Sequence, residues 1–366
     1  MVSRKRIEKL REERALERRL RVPLAEQSLI DALERLTEFQ GGRVLTTSLG
    51  RGQFAIAAER TLQAAHTTCH FLELYKSKEA LRHIADEASE VNVVCTADLP
   101  EDEVDLAAIP VDTRGEAELT REWLQQMHGR LRIGGKLIAT SGNPDDQWLH
   151  EEFRRLFTKV TRTPGRKSVL YSATKTEPLE KPKSFECEFA FRDEGRLIKA
   201  FSRPGVFSHR SLDTGARALM NLLELGPDCR FVDFGCGSGA VGLAAALRAP
   251  AGAVLSLDSN PRAVECTLKG AESNGITTLT AVLDDEGQGG DKGTYDVVGG
   301  NPPYYSDYRI AELFLRAARR LLKPEGRVLM VTKTPAWFDE QMPKMFDDVT
   351  IREERSYYIA SGRKRV

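Results

Sequence analysis

The chain has 366 residues, more than twice the ~100–200 of one domain, so two domains are expected. Apolar residues make up 41% and charged residues 30%, ordinary for a globular protein, and 54 basic side chains are matched by 54 acidic ones. That balance excludes the protein-wide basic field of a constitutive nucleic-acid coat while leaving room for local patches.

Residues 1–22 carry nine Lys/Arg against four Glu with helical charge spacing, which predicts a solvated basic arm. Its charges stand where a secretory signal would be apolar. The apolar run Ala240 to Leu247, about eight residues, is far below the ~20 that cross a bilayer, so no membrane span is expected. Six cysteines (Cys69, Cys95, Cys187, Cys229, Cys236, Cys266) form no C-x-x-C pair, hence neither a disulfide framework nor a metal signature. A reducing cytoplasm is the expected location.

The chain then reads twice. Arg43 to Gly52 lies without gaps on Arg230 to Gly239, Leu131 to Ile138 on Leu322 to Leu329, and Ser168 to Ala173 echoes Ser356 to Ser361. Each copy alternates short apolar runs with segments of helical period, which predicts α/β architecture: two tandem doubly wound, Rossmann-like domains of parallel strands with helices on both faces. The first copy spans 23–175, a Pro- and charge-rich linker 176–184, and the second copy 185–366. Alternating apolar residues over 185–207 predict a hairpin at the entry to the second copy. In that copy the predicted strands are Phe231 to Phe234, Val254 to Asp258, Thr278 to Leu283, Tyr295 to Gly299 and Gly326 to Thr332.

The strand ending at Asp233-Phe234 runs into Gly235-Cys236-Gly237-Ser238-Gly239 and then a helix, a turn where glycines let the backbone approach a nucleotide-like ligand closely. Asp258 ends the next strand about 20 residues later, where a carboxylate accepts hydrogen bonds from ribose hydroxyls. Gly237-x-Gly239-x-x-Gly242 also satisfies the dinucleotide fingerprint, so loop and acid alone leave S-adenosylmethionine and NAD open. Cys236 in the loop is expected to be a small apolar filler rather than a nucleophile.

Asn301-Pro302-Pro303-Tyr304 follows the strand Tyr295 to Gly299, at the carboxyl edge of the sheet where doubly wound folds bind ligands. With this corner the second copy resembles a class I S-adenosylmethionine-dependent methyltransferase of the kind that methylates exocyclic or amide nitrogen. Such a nitrogen is a poor nucleophile because its lone pair is delocalised. The Asn301 side-chain oxygen and the Pro302 carbonyl, accepting its two N–H bonds, would turn that lone pair toward the methyl, and the fixed φ of proline holds the carbonyl direction. Tyr304 would stack on the planar acceptor. The resemblance assigns Asn301, Pro302, Pro303 and Tyr304 to catalysis, and Asp233, Gly235, Gly237, Gly239, Asp258 and Asp284 to S-adenosylmethionine. Tyr305 and Tyr308 are candidates for the base pocket.

Several families share the tetrapeptide, including adenine-N6 and release-factor glutamine methyltransferases. The segment Phe207-Ser208-x-x-x-x-Asp213-x-Gly215-x-x-x-Leu219 resembles that of RsmC/RlmG-type ribosomal RNA guanine-N2 methyltransferases, tandem duplications whose amino-terminal copy has lost its cofactor site. The resemblance implies methyl transfer to a guanine N2 amine, with ribosomal RNA or a ribosomal subunit particle as partner. Tyr304 stands where that family more often has Phe. In the first copy Thr46 replaces Asp233, Ser48 replaces Gly235, Arg51 enters the loop, and Ile109-Pro110 lies where the Asn-Pro-Pro corner would be, while Glu73 survives near the ribose acid. That half is expected to bind no cofactor and to serve as an RNA platform or folding partner. The enzymatic alternatives are adenine N6 of RNA and a release-factor glutamine; the non-enzymatic one is an RNA-binding ribosome-assembly protein.

Overall fold

A computed structural model describes residues 20–303 and 308–365; most of the basic arm and Tyr304 to Asp307 lie outside the described residues. The chain divides into two units, with the boundary between Ser184 and Phe185; Leu72 to Leu74 group with the second unit.

The first unit runs α1 (Leu24–Ile30), β1 (Arg43–Thr47), α2 (Gln53–Leu62), β2 (His66–Phe71), α3 (Leu74–Asp86), β3 (Asn92–Cys95), β4 (Val104–Val111), α4 (Ala117–Arg130), β5 (Leu131–Ser141), α5 (Trp148–Arg154), β6 (Thr161–Pro164) and β7 (Val169–Thr174). Its sheet has the order β3-β2-β1-β4-β5-β7-β6. The second unit opens with a hairpin, β8 (Cys187–Asp193) and β9 (Arg196–Ser202). It continues through α6 (Thr214–Leu222), β10 (Arg230–Phe234), α7 (Ala240–Arg248), β11 (Ala253–Asp258), α8 (Pro261–Ser273), β12 (Leu279–Leu283), β13 (Tyr295–Gly300), α9 (Arg309–Leu321), β14 (Leu322–Thr332), α10 (Pro335–Gln341), β15 (Phe346–Glu354) and β16 (Tyr357–Lys364). Its main sheet, β12-β11-β10-β13-β14-β16-β15, repeats the first in order and direction.

The duplication extends to single hydrogen bonds. Arg43 N donates to Asp105 Oδ2 at 2.8 Å, and Arg230 N donates to Asp296 Oδ2 at 2.8 Å. Lys175 Nζ donates to Leu131 O, as Lys364 Nζ does to Leu322 O. The parallel strands of each doubly wound sheet are completed by antiparallel ones at one edge. In the second unit β16 lies between β14 and β15 and is antiparallel to both. The cause is local: Arg355 and Ser356, both with positive φ (51° and 67°), close a tight hairpin, and a short hairpin joins only antiparallel strands.

Apolar residues cover both faces of the second main sheet. One face packs α6 and α7 through Leu219, Leu243, Ala244 and Phe231; the other packs α9 through Phe314, Leu315, Ala318 and Leu321. The α9 residues recur at helical spacing, so one stripe meets the sheet and the opposite face carries Arg316 and Arg319 to solvent. Among the described residues no helix is long and apolar enough to cross a membrane.

Candidate active site

The second sheet reverses its strand order between β10 and β13, which pair in parallel with Phe234 opposite Gly300. The glycine loop leaves the carboxyl end of β10 and the Asn-Pro-Pro corner leaves that of β13, so the two motifs emerge side by side at the switch point where such folds bind ligands.

The loop is shaped by conformation and by a carboxylate. Gly235, Gly237 and Gly239 have φ of 77°, 55° and 77°, the left-handed region that residues with a Cβ avoid. A Cβ on Gly239 would also stand 2.7 Å from Thr267 Oγ1, whereas one on Gly237 would meet nothing nearer than 3.7 Å, so the loop is open at Gly237. Gly237 N donates to Asp258 Oδ2 at 2.8 Å, and Asn260 N donates to Asp258 Oδ1 at 2.9 Å. A carboxylate has about four acceptor positions, so Asp258 retains capacity for hydroxyl donors. Burial pushes its carboxyl above the usual range, opposed by the Gly237, Asn260 and Ser259 amides.

Two acids grouped with the cofactor residues are bonded to backbone amides. Asp233 is 3% exposed and lies beneath the loop, where Oδ2 accepts from Gly242 N at 2.9 Å. It orders the start of α7. Asp284 Oδ1 accepts from Glu286 N at 2.7 Å and Gly287 N at 2.8 Å, and Oδ2 accepts from Gly289 N. It is therefore a buried acid that ties its own turn. Cys236 is buried and its thiol is pushed well above the normal range, chiefly by burial, as suits a filler.

Burial, with the neighbouring Asp258 charge, raises Asp233 to about 7 against the Gly242 amide. The native state thus holds this proton more tightly than the unfolded chain. The stabilisation is complete below the unfolded value of about 4 and is lost as pH rises through about 7. Asp233→Asn keeps an oxygen acceptor for Gly242 N. It should flatten the fall in stability between pH 5 and pH 7, removing a slope of up to ~1.4 kcal/mol per pH unit. Urea unfolding of both proteins across that range checks this; identical pH dependence would refute it.

At the corner, Asn301 Nδ2 donates to Asp213 Oδ2 at 2.9 Å. The same oxygen accepts from Ala216 N at 2.9 Å and caps α6. Pro302 is buried, Pro303 partly buried. The strand before the corner is made of small residues for space: a Cβ on Gly300 would lie 2.9 Å from Phe314 Cδ2, whose ring stacks on Phe234 at a centroid distance of 4.0 Å. Tyr308 stacks on Trp337, with centroids 4.9 Å apart and planes 4° from parallel, and bonds Thr334 Oγ1, so this ring is engaged in packing. Tyr304 and Tyr305 fall outside the described residues.

The segment before Asp213 is held over the loop by residues the sequence did not single out. Asn260, which caps α8 by accepting from Arg262 N, donates through Nδ2 to Gly205 O at 2.8 Å. The fully buried Arg262 donates to Pro204 O at 2.7 Å. Phe207 follows at 64% exposure beside Gly237. The only advance signal was Asn260-Pro261, a helix start directly after Asp258.

The first unit's equivalent loop is satisfied internally. Glu26, fully buried, accepts from Ser48 Oγ at 3.0 and 2.9 Å, from Gly50 N at 3.1 Å and from Phe54 N at 3.0 Å. Strand register places Phe71, not Glu73, at the position of Asp258, because Thr47 pairs with His70 as Phe234 pairs with Leu257. Register likewise moves the missing corner one residue on: Thr46 faces Ala108 as Asp233 faces Gly299, so Pro110-Val111 stands at Asn301-Pro302.

Comparison with known proteins places this geometry in a class. Residues 198–361 match the methyltransferase small domain family. A solved 16S rRNA N2 methyltransferase (RsmC) from T. thermophilus, in complex with AdoMet and guanosine, has a TM-score of 0.76 at 20% identity over 92% of both chains. The fold is thus that of a class I methyltransferase, built twice. Ribosomal RNA small subunit methyltransferase C of Pseudoalteromonas atlantica is 31% identical over 172 residues, 46% of this chain and 50% of that protein. Ribosomal RNA large subunit methyltransferase G of Photobacterium profundum is 25% identical over 75% of each. The chain spans about half the length of the first of these relatives. The chain is thus similar to the RsmC/RlmG-like methyltransferases over its second unit and, more weakly, over most of its length.

Proposed function

We propose that the chain transfers a methyl group from S-adenosylmethionine to the exocyclic N2 amine of a guanine in ribosomal RNA. The observation that carries this reading is the emergence of the glycine loop with Asp258, and of Asn301-Pro302, from the paired strands β10 and β13. The residues fit the cofactor: three left-handed glycines keep the loop backbone bare, Gly237 leaves open space, and Asp258 has acceptor capacity for ribose hydroxyls. When bound, S-adenosylmethionine supplies an electrophilic methyl on a sulfonium.

The chain's residues then supply orientation. The Asn301 amide oxygen and the Pro302 carbonyl accept the two N–H bonds of the acceptor amine, turning its lone pair toward the cofactor side of the sheet. Holding the reactants in that geometry and stabilising the charge that develops on nitrogen by fixed dipoles each contribute several kcal/mol. The amine gives up a proton to solvent once alkylated, since its acidity rises steeply, so the corner needs no strong base. The names of the relatives support ribosomal RNA as acceptor, and the neighbour's bound guanosine supports the base. In the first unit Glu26 and Phe71 take up the loop and the acid position, which supports one cofactor per chain and a platform or folding role for that half.

The test is transfer of labelled methyl to ribosomal subunits, to naked ribosomal RNA and to a release factor, followed by mass spectrometry of the nucleosides. N2-methylguanosine is the expected product. Label in the release factor, or in N6-methyladenosine, would overturn the reading.

A further inference from the structure

We infer that Asp213 is a positioning residue for the nitrogen-methylation corner: its carboxylate fixes the rotation of the Asn301 amide so that the oxygen, not the NH2, faces the acceptor amine. The inference rests on the proposed reading for its catalytic meaning, but its geometric part stands on its own. An asparagine side chain is nearly symmetric about its last bond, with an oxygen on one edge and an NH2 on the other. At the corner the two orientations are not equivalent. An NH2 turned toward the acceptor would set donor against donor.

A carboxylate accepts hydrogen bonds and, when ionised, donates none, so it selects the NH2 edge. Asp213 Oδ2 accepts from Asn301 Nδ2 at 2.9 Å, which directs Oδ1 to the opposite edge. The same oxygen is anchored by Ala216 N at 2.9 Å, so the rotation is referred to the rigid first turn of α6. The negative charge also polarises the amide and strengthens its oxygen as an acceptor.

Gly215 supplies an independent observation. Its φ is not left-handed, yet a Cβ there would lie 2.8 Å from Asp213 Oδ2, 3.1 Å from Asn301 Nδ2 and 3.1 Å from Val331 Cγ1. Glycine is needed for room, directly against the paired atoms. The spacing Asp213-x-Gly215 therefore encodes one carboxylate and the space for its partner 88 residues away.

Three variants separate this role from helix capping. Asp213→Ser keeps a preferred cap but is too short to reach Asn301, and Asp213→Asn keeps both an acceptor oxygen and the cap. Expected results are a ~10–100-fold loss of kcat for Asp213→Ser, with melting temperature and cofactor Kd nearly unchanged, and activity within ~3-fold of the parent for Asp213→Asn. Added to Asn301→Ala, Asp213→Ser should lower kcat no further, because it acts through that amide. Gly215→Ala, folded by thermal unfolding, should also lower kcat, because its Cβ would crowd both paired atoms.

Full kcat in Asp213→Ser, or additive losses in the double variant, would overturn the inference. A readout without substrate accompanies them: selective ¹⁵N-asparagine labelling should show the Asn301 amide protons shifting in Asp213→Ser and little in Asp213→Asn. If that resonance responds while the parent transfers no methyl to ribosomal RNA, the functional reading fails and the positioning stands. An unmoved resonance in Asp213→Ser overturns the positioning itself.

Discussion

Asn301→Ala should reduce kcat by roughly 10³-fold while changing the Kd for S-adenosylmethionine by less than about threefold. The truncation removes one of the two proposed acceptors for the amine and leaves Pro302 to hold it by a single bond, so both the aim of the lone pair and the dipole against developing charge are lost. The loop is held by other groups: Asp258 accepts from Gly237 N, and Leu257 O accepts from Gly235 N at 2.8 Å and Cys236 N at 3.1 Å. Gly239→Ala should show the converse pattern. Its Cβ would combine a φ of 77° with an approach of 2.7 Å to Thr267 Oγ1, so cofactor affinity falls first. Titration calorimetry and single-turnover methyl transfer on both variants separate the two; equal loss of binding and turnover in Asn301→Ala would mean that the corner is part of the cofactor site.

What the sequence showed and what it hid divide along one physical line. Backbone conformation is written locally, so Gly235, Gly237 and Gly239 announced the loop, Asn301-Pro302-Pro303 the corner, and the matching runs from Arg43 and Arg230 the duplication. Partners of side chains are set by register between strands and by helices far along the chain. Asp233 and Asp284 looked alike as acids at strand ends, yet each is spent on backbone amides beneath or beside the site. The antiparallel strands β15 and β16 depended on the turn at Arg355-Ser356, which carries none of the usual Gly or Asn signals. Sequence proximity drew attention to Glu73 and to Ile109-Pro110; the hydrogen-bonded register places Phe71 and Pro110-Val111 at those positions. The pairing of Asp213 with Asn301 spans 88 residues and is invisible until α6 is placed against β13.

Glu26→Ala should destabilise the first unit by about 1–3 kcal/mol and create no second cofactor site. Glu26 lies 187 residues before Asp213, the offset that relates Arg43 to Arg230, and both acids sit at a helix start, Glu26 inside the first turn of α1 and Asp213 as the cap of α6. In the second unit the amide of Gly237 is taken by Asp258 and the acid of the helix start turns to Asn301. In the first, Phe71 stands at the position of that strand-end acid and Pro110 at that of the asparagine. Glu26, one methylene longer, meets the loop and accepts from Ser48, Gly50 and Phe54. Removing it strands the buried Phe54 amide, at a cost of ~1–3 kcal/mol, while the half-buried Gly50 amide keeps Ser48 Oγ as an acceptor at 3.0 Å. Glu26→Gln retains one oxygen and should lose less than half as much. Urea unfolding measures the losses, and calorimetry should still count one S-adenosylmethionine per chain in Glu26→Ala, because Phe71 offers nothing to a ribose; a loss under about 1 kcal/mol, or a second equivalent bound, would show that the first loop is not held closed in this way.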